Sequence, residues 1–363
     1  MGITACNGCM NYNAAAYFRS AYELGLSVKV EKEIHGFQFT LAKQTYFFRG
    51  GNTPFNMGSS NSIADNKYCA NKILAKAGIP VPKATAISKE DFESNSWTIG
   101  DLKFPLVIKP MTGTSLGKDV LCNIKDMESL KHHLQNKFET YKFLSVEEFH
   151  DGLVSYRVLV FYGKVIGVVK RIPSQIVGDG KHNILELIDI ENEKRVALQG
   201  QLNSFADLKI DEESKIILEE LKLTPQDVPA EGVIIPLCYT CNLTRGGTIV
   251  SLGQQICKKN AKLACKAAKA LSLNLVGLDL SCEDINIPVE NSRGVFIEAN
   301  YSPDITIHEC QLAGESVQAT KIMMRKFIYM HPLSYVVNYI KHKFQLLMLH
   351  INLFSEDRIA IKQ

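Results

Sequence analysis

The order of apolar and polar positions in the first 85 residues predicts a small α/β unit. Residues 11–25 have a helical pattern that ends at Gly25, a residue common just after a last helical turn. A second helix is predicted over 63–77, because Gly78 and two prolines follow it. Three short runs between these helices predict the strands of a small sheet with turns: 26–30, 37–41 and 45–49.

A second α/β unit is predicted from a strand, a glycine-containing loop and a helix. The strand covers 105–110 and is apolar enough to be buried, and the loop leads from it to another strand at 119–123. Residues 126–138 are predicted to be helical, with Asp126 as the N-cap. A strand at 144–149 then leads out of this unit.

The rest of the chain predicts a third unit that opens with a β-hairpin. Its strands, 156–161 and 165–171, flank the dipeptide Tyr162-Gly163. A charged helical region, a helix, two strands and C-terminal helices follow in that order: 183–222, 260–271, 275–282, 294–301 and 315–350. The last helices are rich in Leu, Ile and Phe, which favours packing or an oligomer surface over a membrane-surface helix.

Composition then limits the classes of function. A chain of 363 residues can form two or three domains with a sizeable core. A formal net charge of +3 gives no reason to expect a nucleic-acid partner. No apolar stretch reaches the length of about 18 residues that a membrane span needs, so we expect none. The first residues lack the pattern of a secretory signal, and we therefore expect a cytoplasmic protein.

Ten cysteines are scattered along the chain, and without a secretory signal they indicate reduced thiols. Two pairs have the C-x-x-C spacing: Cys6/Cys9 and Cys238/Cys241. The two pairs could meet in the fold as one zinc site. We favour the other interpretation, in which they are small buried residues and a free N-terminal pair.

Two predicted strands near the end of the third unit carry oxygen-bearing side chains among apolar ones. Side chains alternate between the two faces of a strand, so Glu298 and Asn300 share one face. Asp279 lies between two leucines that point away from it. Neighbouring strands would aim these three side chains at one point, and Mg²⁺ prefers such oxygen ligands. The alternative is a solvent-facing strand with ordinary polar residues.

Lys109 ends a predicted buried strand, where a cationic side chain needs an anionic partner. That partner is either a nucleotide phosphate or a carboxylate in a salt bridge. The small-residue loop at 112–118 does not match a Walker motif. It is nevertheless able to fold over phosphates with its backbone N–H groups.

Two arginines and one histidine are further candidates for binding. Arg171 follows an apolar strand, and Arg245 lies in a segment with two glycines. Arginine binds carboxylates and phosphates through paired hydrogen bonds, although surface arginines are common. His308 comes just after the predicted magnesium strand and is a candidate for a substrate contact.

Several segments occur in an order that is typical of one known superfamily. They are Ala64–Lys67 with Ala77–Pro82, Val107–Pro110, Val146–Phe149, Lys170–Pro173 with Val177–His182, Asn242–Thr248, Gly277–Ile285 and Phe296–Pro303. Over roughly residues 10–330 the chain resembles the ATP-grasp superfamily, most closely the ATP-grasp region of cyanophycin synthetase and of bifunctional glutathione synthetase.

This resemblance implies an α/β protein with the ATP-grasp fold, in which three α/β subdomains hold ATP between the second and the third. The implied boundaries are 1–85 for the N-terminal subdomain, 86–150 for the small lid subdomain, 151–330 for the large subdomain with the metal and substrate site, and 331–363 for a C-terminal helical tail. The implied activity is a carboxylate–amine ligase: ATP phosphorylates a carboxylate, and an amine attacks the acyl-phosphate.

The resemblance also implies roles for individual residues. Contacts with the ATP phosphates are assigned to Lys67, Lys72, Lys109, Gly113, Ser115 and Gly117. The adenine hinge is assigned to Glu147, Glu148 and Phe149. Two Mg²⁺ ions, with Mn²⁺ as the alternative, are assigned to Asp279, Glu298 and Asn300. Catalytic charge stabilisation is assigned to Arg171 and Arg245, and substrate contacts are assigned to Arg245, Gly246 and His308.

The chain departs from the superfamily pattern shortly after the hinge. An acidic residue usually holds the ribose there, and Ser155 stands near that place. We expect the substrate to be an amino acid or a short peptide, and the apolar tail is compatible with a homo-oligomer. The alternatives are a ligase that modifies a protein or ribosomal peptide, and a non-catalytic regulator that binds ATP.

Overall fold

The computed structural model describes residues 10–112, 119–196, 206–310, 312–341 and 343–344. The helices are α1 (Tyr12–Glu23), α2 (Gly58–Asp65), α3 (Lys67–Lys76), α4 (Lys89–Glu93), α5 (Met127–Phe138), α6 (Ile184–Val196), α7 (Glu212–Glu220), α8 (Lys258–Ala270), α9 (Thr306–Glu309) and α10 (Ala319–Met330).

The strands are β1 (Val28–Glu31), β2 (Gly36–Leu41), β3 (Gln44–Arg49), β4 (Ala84–Ser88), β5 (Leu106–Pro110), β6 (Leu121–Ile124), β7 (Phe143–Glu148), β8 (Val154–Phe161), β9 (Lys164–Ile172), β10 (Gln175–Val177), β11 (Ile234–Pro236), β12 (Thr248–Leu252), β13 (Leu275–Cys282), β14 (Gly294–Asn300) and β15 (Gly314–Glu315).

Contacts between Cα atoms divide the chain into two units. The first unit contains Met1–Pro54, Asp304–Glu309 and Gln318–Gln363, and the second contains Phe55–Pro303 and Cys310–Val317. The subdomain boundaries at 85, 150 and 330 that the sequence implies stay a prediction. Among the described residues, no helix is both long and apolar enough to cross a membrane.

The first unit is built around an antiparallel sheet in the order β1-β2-β3, which confirms the small sheet predicted from the sequence. Aromatic rings form its core, with Phe37 stacked on Phe48 at 4.8 Å between ring centroids. Asn11 caps α1 by accepting a hydrogen bond from the backbone of Ala14. Gly25 follows that helix with φ of 75°, which explains why glycine ends it.

The prediction of a single helix over 63–77 is wrong, because the helix is interrupted at Asn66. That residue is extended, with ψ of 99°, and its side chain accepts a hydrogen bond from the backbone N–H of Cys69. Asn66 is therefore the N-cap of a new helix, α3, which continues to Lys76. As a result, Lys67 occupies the first turn of α3, and its backbone N–H donates to Met111.

A four-stranded sheet in the order β4-β7-β5-β6 lies in the second unit. It confirms the strands predicted around 105–110, 119–123 and 144–149, and it adds β4, which the sequence pattern missed. Helix α5 begins as predicted, since Asp126 accepts a hydrogen bond from the backbone of Ser129. Leu106, Ile108 and Val146 are fully buried on the face that α5 covers.

A six-stranded sheet in the order β14-β13-β8-β9-β12-β15 and a two-stranded sheet, β10-β11, also belong to the second unit. The predicted hairpin is confirmed: β8 pairs with β9 across Tyr162 and Gly163, whose φ values of 44° and 71° suit a tight turn. One face of the sheet is apolar and packs on α8 and α3, with Val158, Leu278 and Ala299 in that core.

The charged region at 183–222 contains α6 and α7 in its described parts, and residues 206–211 between them are not helical. Residues 332–341 are helical, in line with the C-terminal helices that the sequence predicts. Strand β12 was missed because only five residues, flanked by glycines, carry its signal.

Candidate active site

Asp279 and Glu298 are direct partners across the antiparallel strands β13 and β14. Directly opposed residues in such a pair have their side chains on the same face. Asn300 lies on that face as well, opposite Gly277. The structure therefore confirms the strand arrangement behind the predicted metal ligands, and the opposite face of these strands supplies the apolar core.

Two arginines hold the carboxylate of Asp279. Nε of Arg157 lies 2.5 Å from Oδ1, and a terminal nitrogen of Arg171 lies 2.8 Å from Oδ2. Asp279 is only 6% exposed. Burial acts to raise the pKa of this carboxyl, but the two guanidinium groups outweigh burial and lower it below its ordinary value.

Arg157 was not among the residues that the sequence singled out. Its position was nevertheless encoded, because Ser155 and Arg157 are alternate residues of β8 whose neighbours Tyr156 and Val158 enter the core. Alternating polar and apolar residues indicate a strand with one apolar and one polar face, but the pattern does not tell whether the polar face is buried or exposed to solvent. The pairing of Arg157 with Asp279 depends on the register of β8 with β13.

Ser155, which was predicted near the ribose, lies directly opposite Arg171 in the β8–β9 pair. The Arg171 guanidinium donates to its hydroxyl at 3.1 and 3.3 Å. Cys241 is also close, since Ser155 and Arg171 both act to lower the pKa of this thiol, which burial raises to about 11. Ser155 thus orients Arg171, and a ribose contact stays a prediction.

Lys109 forms a buried ion pair with Glu147 across β5 and β7. Its Nζ atom lies 2.7 Å from Oε2, and the hydroxyl of Ser145 donates to Oε1 of the same carboxylate at 3.0 Å. Burial acts to lower the pKa of Lys109, but Glu147 and the more distant Glu298 outweigh burial, and the pKa is raised. Of the two partners that the sequence left open, the structure shows the carboxylate, and a contact of Lys109 with a nucleotide phosphate stays a prediction.

Lys67 reaches the same cluster from α3, with Nζ 2.7 Å from Oε1 of Glu298. Lys72 lies one turn further along that helix and has other partners. It donates to the backbone oxygen of Ala84 at 2.7 Å and lies over the ring of Tyr68. A phosphate contact stays a prediction for both Lys67 and Lys72.

The predicted adenine hinge is the end of β7 and the residues just after it. The backbone N–H groups of Glu148 and Phe149 donate to the oxygens of Lys83 and Pro105, at 3.0 and 2.9 Å. The ring of Phe149 meets the ring of Tyr239 edge-on at 6.0 Å. This network fixes the position of the hinge, and its contact with adenine stays a prediction.

Arg245 lies on a short turn and forms ion pairs with Asp211 and Glu213, which stand at the N-terminus of α7. The next residue, Gly246, has φ of 83°, and a Cβ atom there would approach Leu208 to 2.5 Å. Gly246 is therefore required by the backbone of this turn. Arg245 acts to lower the pKa of the Cys122 thiol, against the effect of burial, which raises this pKa to about 12. Its catalytic and substrate roles stay predictions.

The remaining predicted site residues are not brought into this cluster by any described contact. Gly113, Ser115 and Gly117 lie outside the described residues. His308 belongs to the first unit and is fully buried there.

The structure describes one of the two C-x-x-C pairs for which the sequence left a zinc site open. Cys238 and Cys241 both have free thiols, and Cys6/Cys9 lie outside the described part of the chain. Within that part, no group of three His, Cys, Asp or Glu side chains is placed to hold a metal ion. The oxygen set predicted for magnesium contains only two carboxylates, because its third member is Asn300.

The donor set fits magnesium bound together with a polyphosphate. Asp279, Glu298 and Asn300 offer hard oxygen ligands, but too few to complete a magnesium shell alone. Four cationic side chains surround them: Lys67, Lys109, Arg157 and Arg171. With Glu147 included, three carboxylates face four cations, so the cluster has room for further negative charge, such as that of phosphate oxygens.

Comparison with known proteins shows which family this chain is similar to. Residues 64–208 match the model of the RimK-like ATP-grasp domain. Cyanophycin synthetase from Trichormus variabilis is 32% identical over 247 residues, which is 68% of this chain and 27% of that protein. The bifunctional glutathione biosynthesis protein from Mannheimia succiniciproducens is 27% identical over 318 residues, 86% of this chain and 42% of that protein. The chain thus spans less than half the length of these relatives.

The fold is also found in a solved structure. The crystal structure of a bifunctional glutathione synthetase from Pasteurella multocida superposes with a TM-score of 0.61 and 22% identity, covering 90% of this chain and 44% of that one. This similarity is a similarity of fold. Together with the motif order and the charge cluster on the six-stranded sheet, these matches establish that the chain carries a RimK-like ATP-grasp domain and belongs to the ATP-grasp superfamily.

Proposed function

We propose that this protein is an ATP-dependent carboxylate–amine ligase that forms an amide bond and releases ADP and phosphate. The observation that carries the proposal is the direct pairing of Asp279 with Glu298 on a buried polar face, with Arg157, Arg171 and Lys67 in contact with the two carboxylates. A protein that only bound a nucleotide would have little use for two metal-binding carboxylates placed among cations.

The bound nucleotide would supply the phosphoryl group, with magnesium neutralising part of its charge. The chain's own residues would position it. Lys67 contacts Glu298, Lys109 contacts Glu147, and Arg171 is held by Ser155 beside Asp279. Prepositioned cations of this kind stabilise charge as it develops on a transferred phosphoryl group, and in a buried site they do so with little reorganisation.

The substrate class included in this proposal is an amino acid or a short peptide. The relatives named above are a cyanophycin synthetase and a glutathione biosynthesis protein, and both are much longer than the matched region. Their substrates therefore do not transfer to this chain. Arg245 is the candidate for holding a substrate carboxylate, because a guanidinium binds carboxylates through paired hydrogen bonds, as the ion pairs of Arg245 with Asp211 and Glu213 illustrate.

A phosphate-release screen tests the proposal. The purified chain is incubated with ATP, Mg²⁺ and pairwise mixtures of amino acids and short peptides, and products are identified by mass spectrometry. We expect phosphate release to depend on both an acid and an amine, and an amide to appear in equal amount. Release only with a polypeptide acceptor would identify a protein-modifying ligase. Nucleotide binding without release in any mixture would contradict the proposal and favour a regulator.

Matched variants connect the signal to the site. Glu298→Gln removes one proposed metal ligand, whereas Glu290→Gln changes an exposed glutamate that pairs with Lys259. We expect the first variant to abolish release and the second to retain it.

A homo-oligomer is part of the same proposal. Apolar side chains recur on the helical residues 332–341, where Leu333 is 83% exposed and Ile340 is 62% exposed. Their spacing of seven residues puts them on one side of the helix. Light scattering on the purified chain should show a mass above 40.5 kDa, the mass of one chain, and Leu333→Lys with Ile340→Lys should lower it.

A further inference from the structure

The two carboxylates among the proposed metal ligands form ion pairs with basic side chains of the same chain. Both oxygens of Asp279 accept hydrogen bonds, one from Arg157 and the other from Arg171. Oε1 of Glu298 is bound by Lys67. A divalent cation that approaches these carboxylates must therefore displace basic side chains that are already in place.

The fold makes specific room for the Arg157 side chain. Arg157 is 8% exposed and crosses the face of β13 beside Gly277. A Cβ atom at Gly277 would lie 2.9 Å from Cδ of Arg157, 2.9 Å from Cβ of Pro303 and 3.1 Å from a terminal nitrogen of Arg157. Real Cβ atoms rarely make contacts this short, so the absence of a side chain at position 277 lets the guanidinium reach Asp279.

Arg171 and Arg157 differ in what else they can bind. Arg171 also donates to Ser155, a neutral hydroxyl that would remain as a partner if the guanidinium turned toward a phosphate. Arg157 directs both Nε and a terminal nitrogen at Asp279, at 2.5 and 3.4 Å. The two arginines thus differ in their contacts around this carboxylate. Two nitrogens of Arg157 are directed at Asp279, whereas Arg171 also contacts Ser155.

We propose that Arg157 is a positioning residue that keeps Asp279 from binding a divalent cation until a nucleotide triphosphate draws Arg171 and Lys67 onto its phosphates. Metal and nucleotide then bind cooperatively, and the metal alone binds weakly. This inference rests on the proposed function, since it takes Asp279 and Glu298 as metal ligands.

The physical reason is competition for a buried carboxylate. Removing a cation from a buried ion pair without supplying a new partner is costly, because each charge left behind is poorly solvated. A triphosphate removes this cost by giving the displaced basic groups new anionic partners. Linkage then requires that metal and nucleotide strengthen each other's binding by the same factor.

Mn²⁺ binding measured by electron paramagnetic resonance tests the inference without any turnover. Free Mn²⁺ is titrated against the full chain alone and with a non-hydrolysable ATP analogue, and Mn²⁺ bound by the analogue without protein is measured separately and subtracted. For the wild type we expect the analogue to tighten Mn²⁺ binding by at least about tenfold, within the usual range of coupling between two sites. The reverse titration, of the analogue with and without Mn²⁺, should show the same factor.

Two variants address Arg157 itself. Arg157→Gln removes the cation, and Gly277→Ala moves its guanidinium while leaving the charge in the chain. In both, Mn²⁺ alone should bind several-fold more tightly than to the wild type, and the coupling factor should shrink. Arg293→Gln is the matched control, because Arg293 forms an exposed ion pair with Glu283. It should behave as the wild type does.

The outcomes separate the inference from the proposed function. Equal Mn²⁺ affinity with and without the analogue, or an unchanged coupling factor in folded Arg157→Gln and Gly277→Ala, overturns the positioning role even if amide formation is intact. If Arg157→Gln does not fold, the coupling factor measured for Gly277→Ala decides whether Arg157 has the positioning role. No Mn²⁺ binding in the presence of the analogue overturns the metal site and, with it, the proposed function.

Discussion

Arg157 and Asp279 face each other directly across β8 and β13, with Nε of the arginine 2.5 Å from Oδ1 of the aspartate. The pair is buried on the polar face of a sheet whose other face is the apolar core. Asp279 therefore has its charge balanced before any metal arrives. This relationship makes the two acidic residues of the site unequal, because Glu298 is bound by one lysine and is more exposed.

Asp279→Asn and Glu298→Gln should both abolish phosphate release, but only the first should strongly destabilise the fold. Asp279→Asn leaves Arg157 and Arg171 buried without their counter-charge, which costs about 3–5 kcal/mol for a broken buried pair. Glu298 is 31% exposed in its side chain, so its loss should cost under about 1 kcal/mol. Urea denaturation of each variant, beside Glu290→Gln, measures this. Equal destabilisation would contradict the assigned charge balance.

Lys109→Met should weaken ATP binding and also destabilise the protein, because Glu147 would remain buried without its cation. The double variant Lys109→Met/Glu147→Met should recover most of the stability, since an apolar pair of similar volume often replaces a buried ion pair without loss. It should not recover nucleotide affinity, which we expect to fall about tenfold, or about 1.4 kcal/mol. Calorimetric titration with an ATP analogue and urea denaturation separate the two effects. Full affinity in the double variant would remove Lys109 from the phosphate site.

Gly246→Ala should destabilise the fold more than Gly163→Ala. Both glycines have positive φ, at 83° and 71°, so alanine is strained at either position by about 1 kcal/mol. Only at Gly246 does a Cβ atom also collide, with Leu208 at 2.5 Å, whereas nothing lies within 4 Å of a Cβ at Gly163. The difference between the two melting temperatures isolates the packing effect. Equal shifts would show that Leu208 moves aside freely.

The contribution of Asp279 to stability should be independent of pH near neutrality. Its pKa is lowered in the fold by Arg157 and Arg171, against the effect of burial. A carboxyl whose folded pKa lies below its unfolded value stabilises fully above the unfolded value, about 3.9, and loses that effect as pH falls through the folded pKa. The difference in unfolding free energy between wild type and Asp279→Asn should therefore be constant from pH 8 to about pH 5 and shrink at lower pH. A difference that already shrinks between pH 7 and 6 would mean that this pKa is raised instead.

The two strands that carry the proposed metal ligands could be predicted from the sequence, because the alternation of polar and apolar side chains is a local property. The neighbours of Asp279, Glu298 and Asn300 in the sequence were enough to assign these residues to one face of the strands. The structure places them on one face. Helix α5 and the hairpin at Tyr162-Gly163 were equally accessible, since a capping aspartate and a tight turn act within a few residues. The single helix over 63–77 failed for a local reason too, because the capping role of Asn66 was overlooked.

What the sequence by itself determined is most of the longer helices and strands and the chemistry of their faces. The partner of each charge was decided only by tertiary structure. Arg157 contacts Asp279 because of the register between strands that are more than one hundred residues apart in the chain, and Lys67 meets Glu298 because α3 packs beside β14. Such contacts depend on distances in space, and the free energy of a buried charge depends on its nearest opposite charge, which local patterns do not specify.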